Sequence, residues 1–460
     1  MMRSRWVALG ASFLVGASIG ALACTGATFT CEEDAHCDRE PGGRCGADGR
    51  CVYGCAEGAT GSGGGSECGG ATSTSGTDAT SGGTSSSGTG SGSSGAPLPG
   101  CGDGVLEPGN VCFGAIQTLQ YGGRGLAVGD LDDDDDLDIL VPLGRLFVCF
   151  NDGGVFAPPM ELPITGLSMM ADNGDVSSAA VGPVDGDLAP DIVARGGLTS
   201  FLRSKNTGDG AFELRANHPL CPRYEVRSVA IDDLDGDGTR EVLVHYQECS
   251  SPPVGVGIYN LGDDGVTFKP SPLGSIASLH DDAYVAVADL DADGHKDVIT
   301  GSAYFLRQGG AWVESSLPSA GAVDHLAVAL LDEDAYPDVV TIALNKVTIA
   351  RHLDGMPGVF GAPEPLGLFG TFHAVAAGDL DNDGLQDLVL GESSGGRNTL
   401  VTLRNVGYPG VDFEAREIDL GPGNKVVDVV LAHLNDDYAL DVAVSVNPPV
   451  GQTLVLFADP

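Results

Sequence analysis

Basic residues are scarce in this chain. Against 64 Asp and Glu stand only 23 Lys and Arg, and the formal net charge is −41. A field of that sign repels phosphate, which excludes nucleic acid as a partner and also opposes direct contact with anionic lipid headgroups. Aromatic residues are few, at 6%. Beyond the N-terminal leader a single Trp remains, Trp312, so a sugar stacked on every repeat is not expected. Cysteine nearly vanishes after residue 113, leaving Cys149, Cys221 and Cys249. No C-x-x-C pair occurs anywhere, which speaks against zinc. There is no His-Glu-x-x-His, and no Walker or Rossmann fingerprint outside a Gly-rich linker. The nine His residues (His36, His218, His245, His280, His295, His325, His352, His373 and His433) are scattered, and are expected at the surface or in loops. Long helical periodicity is also missing. Yet 42% of the residues are hydrophobic, enough for a packed core, so the acidity does not imply disorder.

What is present begins with an export signal. Arg3 and Arg5 precede the apolar, small-residue stretch Trp6–Gly20, so residues 1–23 read as a signal peptide. Ala21-Leu22-Ala23-Cys24 resembles a bacterial lipobox, with Ala21 where that motif carries Leu. The resemblance implies acylation of Cys24. Thr25 in place of Asp implies the outer membrane, so the membrane is met through the N-terminal lipid only. Six cysteines (Cys31, Cys37, Cys45, Cys51, Cys55 and Cys68) complete a module over 24–68. Three disulfides would suit a unit too small for a hydrophobic core, with fifteen pairings open. Residues 69–99 are mostly Gly, Ser and Thr, a flexible stalk whose main part spans roughly 25–30 Å. Residues 100–112 contain Cys101-Gly-Asp-Gly-Val-Leu-Glu-Pro-Gly-Asn-Val-Cys112, which resembles the opening of the myxobacterial cysteine-rich repeat. That resemblance implies a Cys101–Cys112 loop at the entrance to the head. Cys221 and Cys249 are a possible bridge, while Cys149, in an apolar strand, reads as a buried thiol.

Seven repeats fill 113–460. Each has an alternating apolar run, acids at every second position, one more acid four residues on, and a second apolar run. Clear copies are Asp289-Leu-Asp-Ala-Asp-Gly-His-Lys-Asp297 and Asp379-Leu-Asp-Asn-Asp-Gly-Leu-Gln-Asp387; others begin at Asp233 and at Asp130, with Asp135 in the Gly place. Three weaker copies hold Asp185, Asp187 and Asp191; Asp332, Asp334 and Asp338; and Asn435, Asp437 and Asp441, with Pro183, Leu330 and His433 replacing the first acid. The last acids (Asp138, Asp191, Glu241, Asp297, Asp338, Asp387, Asp441) lie 41 to 56 residues apart, a spacing that suits one four-stranded blade. Gly-rich turns of the Gly-Gly-x-Phe type recur, as in Gly153-Gly-Val-Phe156 and Gly358-Val-Phe360. The expected fold is all-β, a seven-bladed β-propeller. Phe113–Leu119 reads as a fourth strand without a blade of its own, and is expected to complete the last one and close the ring.

The repeat resembles the FG-GAP, or VCBS, unit of integrin α-type propellers over about three quarters of the chain. Hard oxygen ligands suit Ca²⁺. Acids at positions 1, 3 and 5 of a tight turn converge, position 9 closes the cage, and the family lends a backbone carbonyl from position 7. The four complete sets are Asp130, Asp132, Asp134, Asp138; Asp233, Asp235, Asp237, Glu241; Asp289, Asp291, Asp293, Asp297; and Asp379, Asp381, Asp383, Asp387. About four structural Ca²⁺ sites are therefore expected, and the weaker loops read rather as solvated turns. Two carboxylates 4 Å apart repel by about 4 kcal/mol at an effective dielectric of 20, which a cation relieves. An EF-hand is excluded because its closing Glu position falls on Val244, Thr300 and Leu390 inside β runs. The whole reads as a secreted, lipid-anchored, non-enzymatic surface protein that binds an extracellular protein or glycan. The alternatives are a propeller lyase or hydrolase acting on extracellular polysaccharide, and a structural envelope component.

Overall fold

The computed structural model describes residues 111–459, apart from 163–177, 279–284 and shorter internal stretches, together with a hairpin of Arg44–Cys45 and Cys51–Val52. The expected leader, the Cys24 anchor, the stalk, Cys101, Cys221 and Cys249 lie outside the described residues. The hairpin belongs to a separate unit, Gly20–Ala96.

Every regular element among the described residues is a strand, and seven main antiparallel sheets follow one another along the chain. Blade 1 comprises Ala127–Gly129, Asp138–Pro142, Leu146–Cys149 and Met160–Glu161. Blade 2 is Ala179–Gly182, Asp191–Arg195, Ser200–Asn206 and Phe212–Pro219; blade 3 is Tyr224–Asp232, Glu241–Glu248, Val254–Leu261 and Phe268–Pro270, with Ile276–Ser278 also pairing its third strand. Blade 4 is Ala286–Ala288, Asp297–Thr300, Ala303–Gln308 and Ala311–Ser316; blade 5 is Val323–Ala329, Asp338–Ala343, Lys346–Ala350 and Glu364–Pro365. Blade 6 is Phe372–Gly378, Asp387–Ser394, Arg397–Asn405 and Phe413–Pro422. Blade 7 takes Val426–Ala432, Asp441–Val446 and Gln452–Leu456 from the C-terminal end and Gln117–Gln120 from the start of the head. Gln117 pairs with Val455 and Gln120 with Gln452, and Phe113 bridges to Ala458. The ring thus closes through a strand borrowed from the other end of the propeller, as the orphan strand pattern predicts. The fold is a seven-bladed β-propeller.

Within a blade the residue pattern changes from centre to rim. The second strand of blade 5 reads DVVTIA and is buried at every position. A strand covered on both faces needs no alternation and favours β-branched residues. The outer strand of blade 6, FEAREIDLGP, contains no fully buried position. The apolar residues gather between blades rather than in one centre. One cluster joins Leu131, Leu140 and Leu146 to Ile192 and Leu202 across blades 1 and 2. Another joins Val340 and Ile342 to Leu388 and Leu403 across blades 5 and 6. A third joins Ile139 and Val141 to Ala443 and Val455, across the closure. No blade can bury its faces alone, so apolar burial itself drives ring formation.

Cys149 is the buried free thiol its strand implies. Three histidines depart from the expected surface or loop position, whereas His295 and His433 are exposed in loops as expected. His245, His325 and His352 are buried, at 0%, 1% and 4% exposure. His325, on the inner strand of blade 5, reaches blade 6 through the Val375 N–H and lies 3.5 Å from Asp428 of blade 7. The neighbouring blades bury this histidine.

Candidate metal centres

All seven acid clusters fall in the hairpin between the first and second strands of a blade, and the last acid of each is the first residue of the second strand. The position-1 acid shapes the turn. Asp289 accepts the Asp293 N–H at 3.1 Å on Oδ1 and the Gly294 N–H at 2.9 Å on Oδ2. Asp379 does the same with Asp383 and Gly384. Position 6 has positive φ in all four complete loops: Asp135 at 77°, Gly238 and Gly294 at 86°, Gly384 at 92°. Position 4 is also left-handed, and there non-glycine residues stand at Asp133, Ala292 and Asn382.

Positions 1, 3 and 9 converge. Asp130, Asp132 and Asp138 each offer an oxygen within 4.8 Å of the others, and so do Asp233, Asp235 and Glu241; Asp289, Asp291 and Asp297; and Asp379, Asp381 and Asp387. Among the described residues no other group meets this condition, so the weaker loops of blades 2, 5 and 7 form none. The position-5 acids Asp134, Asp237, Asp293 and Asp383 stand outside these groups. Each accepts the N–H two residues on, at 3.0, 2.7, 2.8 and 2.8 Å, an Asx turn that stiffens the loop.

The electrostatics of the groups favour a cation. Burial, then the neighbouring Asp134 charge, pushes Asp132 up to about 6. Burial pushes Asp138 up to about 8, and Asp297 and Asp387 to about 7, even though backbone N–H groups pull each of them down. Asp132 Oδ1 and Asp291 Oδ1 are buried without a hydrogen-bond partner. Orphaned carboxylate oxygens of this kind are costly unless something positive meets them. An all-oxygen, multiply anionic set fits a hard divalent ion such as Ca²⁺ better than a softer metal.

The position-9 acid has a second task that the sequence pattern does not announce. In blade 6, Asp387 accepts the Leu380 N–H at 2.9 Å and the Asn405 N–H at 2.7 Å. Asp138, Asp297 and Asp441 repeat this with Leu131 and Asn151, Leu290 and Arg307, and Leu434 and Ala458. The acid straps its loop to the end of the third strand. From that strand end a side chain then reaches the neighbouring blade. Asn206 Nδ2 donates to Leu131 O of blade 1, Asn405 Nδ2 to Leu331 O of blade 5, and Asn151 Nδ2 to Leu434 O of blade 7. Arg307 plays this part toward Leu234 in blade 3.

The recurring glycine turn has a related purpose. A Cβ on Gly210 would stand 3.4 Å from the Cβ of Asp132, and one on Gly358 would stand 3.3 Å from that of Asp291. Both glycines have φ of 69°. The outer hairpins of blades 2 and 5 thus stand over the position-3 acids of blades 1 and 4, Asp132 and Asp291, whose Oδ1 atoms are buried. The sequence signal for the strap is Asn-x-Gly, at Asn151, Asn206, Asn260 and Asn405.

Comparison with known proteins agrees with this repeat structure. Residues 184–244 and 331–390 match the FG-GAP-like repeat, and residues 371–410 match the FG-GAP repeat. The chain therefore carries FG-GAP repeats on a seven-bladed propeller. No curated protein matches it. Among solved structures, a chain from the crystal structure of BBS1N in complex with ARL6DN is similar, with a TM-score of 0.53 and 10% identity, over 76% of this chain and 97% of that one. The exotype rhamnogalacturonan lyase YesX gives a TM-score of 0.46 at 12% identity, over 76% of this chain and 75% of that one. An Agrocybe aegerita lectin specific for non-reducing terminal N-acetylglucosamine gives 0.43 at 17%, over 68% and 81%. At such identities the likeness is one of fold.

Proposed function

We propose that this protein is a calcium-stabilised, non-enzymatic binding or adhesion protein displayed on the cell surface, where it recognises an extracellular protein or glycan. The observation that carries the reading is the commitment of the clustered acids to architecture. The convergent carboxylates of blades 1, 3, 4 and 6 sit in inter-strand hairpins, and their last members are already bonded to backbone or Asn N–H groups. Ca²⁺ held there supplies charge neutralisation and pins the hairpin; Asp130, Asp132, Asp138 and their counterparts would hold it. The histidines with described contacts are also tied into the fold. His352 Nε2 accepts the Gly358 N–H at 2.8 Å, and His433 Nδ1 meets Ala439 O at 2.8 Å. What remains is a rigid disc with variable loops, the usual makings of a recognition surface.

Display follows from the N-terminal sequence. Acylated Cys24 anchors the chain in the outer membrane, the Gly/Ser/Thr stalk holds the head outward, and a Cys101–Cys112 disulfide ties the entrance. A protein partner suits the fold, since BBS1N is itself crystallised with ARL6DN. The test uses the full chain immobilised with calcium, probed with a glycan array and with extracellular protein extracts. A specific ligand released by chelation supports the reading. Depolymerisation of a polysaccharide by the purified protein refutes it.

A further inference from the structure

Blade 2 breaks the acidic pattern in an informative way. Its hairpin keeps the position-3, position-5 and position-9 acids, Asp185, Asp187 and Asp191, and has Pro183 at position 1. No three-carboxylate group forms there among the described residues. Instead, two cations enter from the third strand of the same blade. Arg203 is fully buried and bonds Asp191 Oδ2 through Nε at 2.9 Å and Nη2 at 2.6 Å. The same Nη2 also bonds Asp185 Oδ2. Lys205 Nζ bonds Asp185, and reaches Asp187 at 2.9 Å. Two residues apart on a strand, both side chains emerge on one face, toward the hairpin.

The strap fixes the equivalent positions in the other blades, because the residue whose N–H meets the position-9 acid marks the register. Lys205 immediately precedes that residue, Asn206. Its counterparts are Phe150, Leu306, Arg351, Arg404 and Phe457, and the counterparts of Arg203 are Val148, Tyr304, Ile349, Thr402 and Val455. Blade 2 alone among these carries a cation at both positions. Arg404 of blade 6 approaches Asp381 only to 3.7 Å and gives its other nitrogen to Glu414 at 2.8 Å.

We propose that blade 2 carries a fifth cation site of the same design, occupied permanently by the protein's own Arg203 and Lys205 in place of calcium. The site draws on the reading of the four complete loops as calcium sites, but its own contacts are all present in the fold. The charges it gathers are three carboxylates against two side-chain cations, comparable to a three-carboxylate cage around a divalent ion. Burial opposes the Asp185 charge, yet the hydrogen bonds from Lys205 and Arg203 hold its carboxyl well below the usual range. Burial leaves Asp191 at about 6, lower than Asp138 at about 8, because Arg203 offsets part of the penalty. Blade 2 is then a calcium-independent stave in a ring whose four complete hairpins loosen on chelation.

The test is hydrogen–deuterium exchange on the full chain, with calcium and after chelation, for wild type, Lys205→Leu and Lys205→Arg. Leu is the residue that blade 4 carries at this position, Leu306, so Lys205→Leu is compatible with the fold. On chelation, wild-type exchange should rise about tenfold or more in 130–138, 233–241, 289–297 and 379–387 and stay level in 183–191. Lys205→Leu should raise exchange in 183–191 about tenfold, and Lys205→Arg should restore it. A rise in wild-type 183–191 on chelation overturns the proposal, and so does an unchanged 183–191 in Lys205→Leu. If the four complete loops ignore chelation, the calcium reading fails alone, and the Lys205 variants still decide the blade 2 site.

Discussion

Removing calcium should make the propeller less stable as pH rises. In the folded chain burial pushes Asp138 up to about 8 and Asp297 and Asp387 up to about 7, against an ordinary value of 3.8. A carboxyl raised in the folded state stabilises fully below the unfolded value, about pH 4, and that contribution is lost as pH climbs through the folded value, here about pH 7 to 8. Each pH unit between the two values is worth about 1.4 kcal/mol, so these acids each withdraw on the order of 4–6 kcal/mol by pH 8. Three together approach the whole margin of a typical domain, roughly 5–15 kcal/mol. Calcium removes the penalty by countering the ionised form, leaving Asp338 and Asp441, both raised to about 7 by burial and outside the three-carboxylate groups, as the residual pH dependence. The assay is thermal unfolding by circular dichroism from about pH 5 to about pH 8, in calcium and in calcium-free buffer. The calcium-free melting temperature should fall steeply with pH, and the calcium curve should fall less, by the share that Asp338 and Asp441 contribute. Superimposable curves, or a calcium-free curve that rises with pH, would refute the cage electrostatics.

Asp291→Ala should cost about 2–3 kcal/mol in calcium, the stabilisation one ion gives at roughly a hundred times its Kd, whereas Asp334→Ala in blade 5 should cost less; equal losses in urea unfolding would undo the ranking of the loops. Asp441→Ala strips acceptors from the Leu434 and Ala458 N–H groups, both at 2.8 Å. At about 1–3 kcal/mol for each orphaned donor, its loss should be the same with and without calcium, and a calcium-dependent loss would mean that this strap is a metal ligand. Ala292 has φ of 55° at an exposed position, so Ala292→Gly should stabilise by about 1 kcal/mol in the same assay. The buried Cys149 thiol, pushed up to about 12 by burial and by Asp138, should resist alkylation until the protein unfolds, and labelling of the native chain would show that blade 1 opens.

The cages were legible because their ligands are neighbours in sequence. Asp289, Asp291 and Asp297 lie within nine residues, so spacing alone brings them together once the turn forms. The closing strand was legible for a similar reason, since a β run at Gln117–Gln120 needs a partner and the last repeat lacks one. The Asn-x-Gly signal was visible in the sequence, but its meaning was not. Asn405 reaches Leu331, 74 residues earlier, a contact that exists only when adjacent blades dock. The burial of His325 was hidden in the same way.

Local chemistry therefore settled the repeat, the strand order and the four oxygen clusters, because these depend on residues a few positions apart and on strand period. Tertiary structure decided which acid does what. The register of the third strand turned position 9 into a strap, set a neighbour's glycine over position 3, and placed Arg203 and Lys205 in the blade 2 hairpin. Those outcomes depend on which side chains face one another across strands and blades, and only packing determines that.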